Sequence, residues 1–433
     1  MFHVEPVRRP SFTWNSPAPP GQCARIRRLR DSPMISFARY ATLLAIPELR
    51  AALAASLIGR LPIGITGLAI LLLVRSSSGS FASAGVATAC YTAGLAALAP
   101  ITGRLIDRRG PRHVLLACGV LNPLSLVALV ALIETGASAW GWLPLAAIAG
   151  ASFPPITACM RTLFRHRLGD DPLLATAYSL ESVLIETIFI VGPMLVAFFV
   201  AVSSGSIAVL FAAACVATGT QLFVRSPALK SWKVGAPRSR SSRLLGPLAS
   251  PSFLSLLAVV LCYSIAFGLV EIGVTGFAAE AGTPALAGVL LALMSVGSAL
   301  GGLIYGSRSW HTPVARQFSF TLGLMGGGIL PLAWLIGVWE FAVFALLAGV
   351  VMAPALAMQS MLVTKTAPPD FSAEAFTWSA TGLLTGIGLG FAAGGAILEA
   401  SGSAAVFITA ATTTLLGAGG AYLRLGRKAL LSI

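Results

Sequence analysis

The sequence predicts an all-α polytopic membrane protein, with twelve transmembrane helices arranged as two pseudo-symmetric six-helix halves. Three observations predict it. Of the 433 residues, 56% are hydrophobic and only 10% are charged, against about 25% charged in soluble domains. The apolar residues come in continuous runs of about 20, the length that crosses a hydrocarbon core as helix. Nearly all of the 29 Lys and Arg fall in the tails and in alternate loops, the bias that marks the cytoplasmic side. A soluble domain of this size cannot hide so much apolar surface, and a disordered chain would be polar. The runs are too long for buried strands and lack the alternation of a membrane barrel.

The elements follow in order. Residues 1–45 are read as a disordered, basic cytoplasmic tail, rich in Pro and Arg, with Met34 as an alternative start of translation. Six spans form the N-terminal half, 46–224, at about 49–74, 82–102, 114–133, 140–160, 173–200 and 206–224. Residues 225–250 are a cytoplasmic linker carrying Lys230, Lys233, Arg238, Arg240 and Arg243 among Ser, Pro and Gly. The C-terminal half, 251–425, holds spans at about 252–278, 284–305, 317–336, 341–363, 373–399 and 403–423, and 426–433 is a cytoplasmic tail. Both termini are expected in the cytoplasm, with only Arg75 in an outside loop and Arg60 within span 1. The net charge of +14 is then spent on membrane orientation, and no nucleic-acid partner is expected. Six Cys without a CxxC pair indicate neither metal nor disulfide framework.

The halves repeat each other. Ala84-Gly85-Val86, Gly94 and Gly103 match Ala287-Gly288-Val289, Gly297 and Gly306 at an offset of 203. Ala175-Thr176-Ala177-Tyr178-Ser179, opening span 5, matches Ala373-Glu374-Ala375-Phe376-Thr377, opening span 11, at an offset of 198. Parallel repeats of this kind place a solute site at their interface near the midplane.

The loop after span 2 reads Gly103-Arg104-Leu105-Ile106-Asp107-Arg108-Arg109-Gly110-Pro111-Arg112. It resembles the G-x-x-x-D-R-x-G-R-R signature of the major facilitator superfamily. Gly103, Asp107, Arg108, Gly110 and Arg112 match, and Pro111 replaces one Arg. A Gly at 103 permits close helix approach, and a carboxylate at the membrane edge can accept from Arg or from a helix N-terminus. The resemblance implies that Asp107, with Arg108, latches the halves on the cytoplasmic side near Asp370-Phe371-Ser372-Ala373. Arg161 is a second candidate partner of Asp107, and Arg109 reads as a plain anchor.

Arg60, Glu181, Glu186 and Glu271 lie inside spans, where a charge costs about 2.5–3.5 kcal/mol on insertion scales. Each needs a partner, water or a proton. At about 1.5 Å per residue, Arg60 lies about 17 Å into span 1, and Glu181 and Glu186 lie about 12 and 20 Å into span 5. Depth favours an Arg60–Glu186 pair, as a structural fixture or as part of a proton path. Gly192-Pro193 in span 5 is a candidate hinge or an ordinary kink, and Tyr178 and Trp378 are the aromatics singled out for a solute cavity. Span 5 lacks the longer glycine pattern of the family's antiporters. Span 4 has Ser152-Phe153-Pro154-Pro155 where many proton-coupled drug exporters carry an embedded Arg.

The resemblance implies a monomeric secondary transporter in the inner membrane that moves a small organic molecule by alternating access, with proton-coupled export as the expected mode and no cofactor or metal. Proton-coupled uptake of a sugar or organic acid is the alternative. A membrane-embedded enzyme is disfavoured, because His3, His113, His166 and His311 all fall in tails or loops.

Overall fold

In hydrocarbon every backbone N–H and C=O must be satisfied within its own segment, and helices do this. The computed structural model describes residues 37–78, 81–169, 171–230, 232, 246–283 and 286–426, and among them all regular structure is helical. Among the described residues ten stretches are long and apolar enough to cross a membrane; they hold eleven spans, and span 9 makes twelve. Span 9 is missed by that criterion because its α-helix, Val314–Ile329, is short and continues in a 3-10 turn, Leu330–Trp334. Spans 11 and 12 are merged in one long helical stretch, Ser372–Ala421, broken at Gly402, whose φ of 78° suits glycine alone. Gly386 meets Ser264 of span 7, and Gly417 lies beside Cys262 and Tyr263 at the same level, so the chain doubles back at Gly402.

Three spans are interrupted where proline removes a backbone donor or where the helix is re-aimed. Span 1 runs Pro47–Arg60 and Pro62–Ser78. Span 4 runs Ala139–Ala151 and Ile156–Leu168, parted by Ser152-Phe153-Pro154-Pro155. Span 10 runs Val338–Gly349 and Met352–Thr366. The others are unbroken: span 2, Phe81–Arg109; span 3, Pro111–Glu134; span 5, Leu173–Val202; span 6, Gly205–Arg225; span 7, Pro251–Glu280; span 8, Ala287–Ser307.

The repeat is physical. In the first half, Gly94 of span 2 lies on the backbone of Ala147, and Gly150 of span 4 on that of Tyr91. In the second, Gly297 of span 8 lies on the backbone of Leu346, and Gly349 of span 10 on that of Met294. Any Cβ at these points would strike a carbonyl oxygen, so small residues set the same helix crossing twice.

One boundary expectation needs correction. The basic tail does not run to residue 45, because Ala38–Leu44 is a helix with Arg39, Tyr40 and Leu43 buried. Its anchor is Tyr40, whose hydroxyl donates to the carbonyls of Leu303 at 2.9 Å and Gly302 at 3.2 Å on span 8. Met34, most of the linker, the last residues and the side chain of Arg75 lie outside the described residues.

Candidate functional site

Hydrogen bonds joining the two halves gather at the end that carries the arginine-rich loop after span 2. There they form two seams related by the repeat. In the first, Gly103 lets span 2 touch span 11, since a Cβ there would run into Thr377 and the backbone of Ala373 and Glu374. One turn on, the Asp107 carboxylate accepts from the backbone N–H of Ala373 at 3.0 Å and of Glu374 at 2.8 Å. These are unpaired donors at a helix N-terminus, where negative charge is favoured. Gly110, at φ 82°, ends the motif in a conformation that only glycine adopts cheaply, with Pro111 at the first position of span 3.

The cation of this seam is one the motif reading missed. Arg108 and Arg112 are exposed, whereas Arg104 contacts Glu374 through Nη2 at 2.5 Å and Nε at 3.0 Å. Glu374 is completely buried. Arg161 does not reach Asp107; Arg165, four residues on, takes the place at the seam, donating to Ser372 Oγ at 2.8 Å and to the Ala367 carbonyl at 3.0 Å. After the interruption of span 4 the helix restarts at Ile156, and every residue from Ala158 to Phe164 is buried, Arg161 among them.

The second seam joins span 8 to span 5. Gly306, the repeat partner of Gly103, lies against Ser179, the repeat partner of Thr377. The Gly306 carbonyl accepts from Thr176 Oγ1 at 2.7 Å, and the Gly302 carbonyl accepts from Ser179 and Tyr40. Tyr178 meets its repeat counterpart Phe376 at 6.1 Å between ring centroids. Tyr178 is therefore not a bare cavity wall. It is buried, donates to the Arg161 carbonyl at 3.2 Å and shares a 2.7 Å bond with Thr364 Oγ1.

Deeper in the bundle lies the ion cluster. Arg60 Nη1 meets Glu181 Oε1 at 2.6 Å, both side chains fully buried. The pairing expected from depth, with Glu186, is not the one formed. Helical side chains lean toward the N-terminus, and the long Arg60 leans back a full turn to bond Ser56 through Nη2 at 3.0 Å and Nε at 3.2 Å. Its head thus falls to the level of Glu181. Arg161 joins the same carboxylate oxygen at 3.9 Å, and neither Arg161 Nε nor Glu181 Oε2 has a hydrogen-bond partner. On the other half, Tyr263 donates to Gln359 Oε1, and Gln359 Nε2 donates to Ser379 Oγ at 2.6 Å.

Glu186 sits apart, on the seam between spans 5 and 8. Ser298 Oγ donates to its Oε1 at 2.8 Å and accepts from the Ala353 N–H at 3.0 Å, where span 10 restarts. Glu271 is exposed and outside both seams. Trp378 is half-buried, its indole N–H without a partner. Gly192 marks a helix crossing, because a Cβ there would enter the backbone of Gly64 on span 1; Pro193 next to it is exposed. Among the described residues no cluster of His, Cys, Asp and Glu could hold a metal ion.

The family model described as Major Facilitator Superfamily matches residues 37–304, more than half of the chain. The chain belongs to the Major Facilitator Superfamily. That makes it a multi-pass secondary transporter. No curated protein shows significant sequence similarity to it. Among solved structures it resembles the human organic anion transporter MFSD10 (TETRAN), at 18% identity and TM-score 0.69 over 86% of this chain and 99% of that one. It also resembles a bacterial homologue of the iron transporter ferroportin in an outward-facing state, at 13% identity and TM-score 0.70 over 88% and 100%. A third is the E. coli fucose:proton symporter FucP, at 13% identity and TM-score 0.64 over 88% and 98%. At such identities these likenesses establish the superfamily fold alone.

Within the superfamily frame, the residues that sequence reasoning missed are Arg104, Glu374, Arg165, Ser298 and Tyr40. A charged residue in the first turn of an apolar span, as Glu374 is in span 11, was the available signal. It asks for a cation at the same level of a neighbouring helix.

Proposed function

We propose that the protein exports a small organic solute across the cytoplasmic membrane in exchange for protons, with the arginine-rich end cytoplasmic and Glu186 carrying the proton. The observation that carries this reading is the place of Glu186. Its carboxylate lies on the seam between the halves and is held by the Ser298 hydroxyl of the opposite half, not by a cation. When the seam parts, the serine leaves with its half, so the carboxylate meets two environments in the two states. That difference is what links a proton to alternating access.

Glu181 has a different task. Its pairing with Arg60, with Arg161 nearby, ties span 5 to span 1, and breaking a buried pair costs about 3–5 kcal/mol. The gathering of cross-half bonds at the seams corresponds to a carrier closed on the cytoplasmic side. Export follows the resemblance of the motif.

The test uses proteoliposomes holding a pH-sensitive dye, supplied with organic acids, sugars and lipophilic cations. Glu186→Gln is expected to abolish solute-driven proton movement while leaving solute counterflow. Unchanged proton movement in Glu186→Gln removes that residue from coupling. Proton and solute moving in the same direction gives uptake by symport in place of export.

A further inference from the structure

Charge around Glu181 does not balance. Arg60 and Glu181 form one complete pair at 2.6 Å. Arg161 brings a second guanidinium to the same oxygen at 3.9 Å, beyond hydrogen-bond length, and its Nε has no partner. Among the described residues Glu181 is the one carboxylate within 4 Å of Arg161, and Arg60, already on the same oxygen, repels it. Tyr178 gives Arg161 no relief, since its hydroxyl donates to the Arg161 backbone carbonyl. Two cations thus share one carboxylate among packed helices, where an uncompensated charge is unfavourable.

The two arginines differ in access. Arg60 is 0% exposed and Arg161 is 8% exposed. The excess charge therefore falls on the less enclosed guanidinium, at a point where the halves meet: Tyr178 of span 5, bonded to the Arg161 carbonyl, shares its hydroxyl with Thr364 of span 10. A planar guanidinium with a free N–H matches a carboxylate or similar oxyanion.

We propose that the transported solute is an organic anion and that Arg161 receives its acidic group, the solute supplying the negative charge that completes the Arg60–Glu181–Arg161 cluster. This rests on the reading of the chain as a carrier and not on the role of Glu186.

The experiment follows thermal unfolding of the full chain in lipid nanodiscs with benzoate, citrate or methanesulfonate at millimolar concentration. Neutral benzamide and the cation tetraphenylphosphonium serve as matched probes. At least one anion is expected to raise the unfolding temperature saturably, and the neutral and cationic probes are not. Arg161→Gln is expected to weaken the anion's effect by about ten- to a hundredfold, the worth of a lost charge-assisted hydrogen bond. Arg161→Lys keeps part of it. Without any probe, Arg161→Gln unfolds no earlier than the parent protein, whereas Arg60→Gln unfolds earlier. The proposal is overturned if no anion stabilises, if the neutral or cationic probe does so equally, or if the anion effect survives Arg161→Gln. An Arg161→Gln protein that fails to fold also overturns it, because the charge would then be needed without a ligand. Anion stabilisation together with unchanged proton movement in Glu186→Gln leaves this inference standing and removes only the proton assignment; the reverse pair of results removes only this inference.

Discussion

The two seams are copies of one another in geometry and opposites in chemistry. Gly103 touches Thr377 in one, and Gly306 touches Ser179 in the other, at positions the repeat makes equivalent. Around Gly103 the contacts are ionic: Asp107 on a helix N-terminus, Arg104 on Glu374. Around Gly306 they are neutral, made by Thr176, Ser179 and Tyr40 hydroxyls on backbone carbonyls. Duplication supplied the close approach twice, and only around Gly103 was it given ion pairing. The lesson is that close helix approach builds the closed end, while the ions adjust how firmly one side of it holds.

The largest effect follows from that proximity. Gly103→Leu and Gly306→Leu are each expected to abolish transport, because the new side chain enters the backbone of span 11 at Gly103 and the Ser179 and Tyr40 side chains at Gly306, and overpacking costs about 1–3 kcal/mol or more. Both shift the carrier away from the state closed at the arginine-rich end. Distances between spin labels at Arg109→Cys and Lys365→Cys, both exposed at that end, should lengthen in both variants. Lengthening in one variant alone would show that the seams are not mechanically equivalent.

The intermediate effect separates ionic from neutral bonding. Asp107→Asn keeps an oxygen for one backbone N–H but loses the charge that two donors share, worth about 1.5–3 kcal/mol for hydrogen bonds to charged groups. Thr176→Val removes one neutral hydroxyl bond, worth about 0.5–1.5 kcal/mol. The same label pair should therefore report a greater open fraction for Asp107→Asn than for Thr176→Val. Equal shifts would place the strength of the closed end in the neutral seam.

The sequence reveals spans and duplication because both are one-dimensional: apolar length marks a crossing, and glycine at a fixed offset marks a contact. Gly94 with Gly297 and Gly103 with Gly306 all proved to be helix contacts. Asp107 was legible because its partner is a helix N-terminus, which any span start provides. Partner choice between side chains was not legible, since it depends on helical phase and on side-chain lean. Depth alone pointed Arg60 to Glu186, and the backward lean of a long arginine brought it to Glu181. Beyond the interruption at Pro154-Pro155, Arg161 is buried within the bundle beside Glu181. Arg104 sat unnoticed inside the motif because its partner, Glu374, lies 270 residues away.

The smallest effect tests whether the Arg104–Glu374 pair fastens the seam or merely accompanies it. The Arg104 side chain is 32% exposed, so water and salt screen the pair, and such pairs contribute about 0–1 kcal/mol. Arg104→Gln should change the open fraction only slightly at ordinary ionic strength. The difference from the parent protein should shrink further in high salt, where the Debye length falls to about 3 Å. Buried Glu374 changes the expectation in one respect: without Arg104 its carboxylate keeps no cation at 2.5 Å, so Arg104→Gln should be more damaging than the double variant Arg104→Gln/Glu374→Gln. A double variant as open as the single one would mean that Glu374 finds other compensation at the helix start, and that the charge of this seam resides in Asp107 alone.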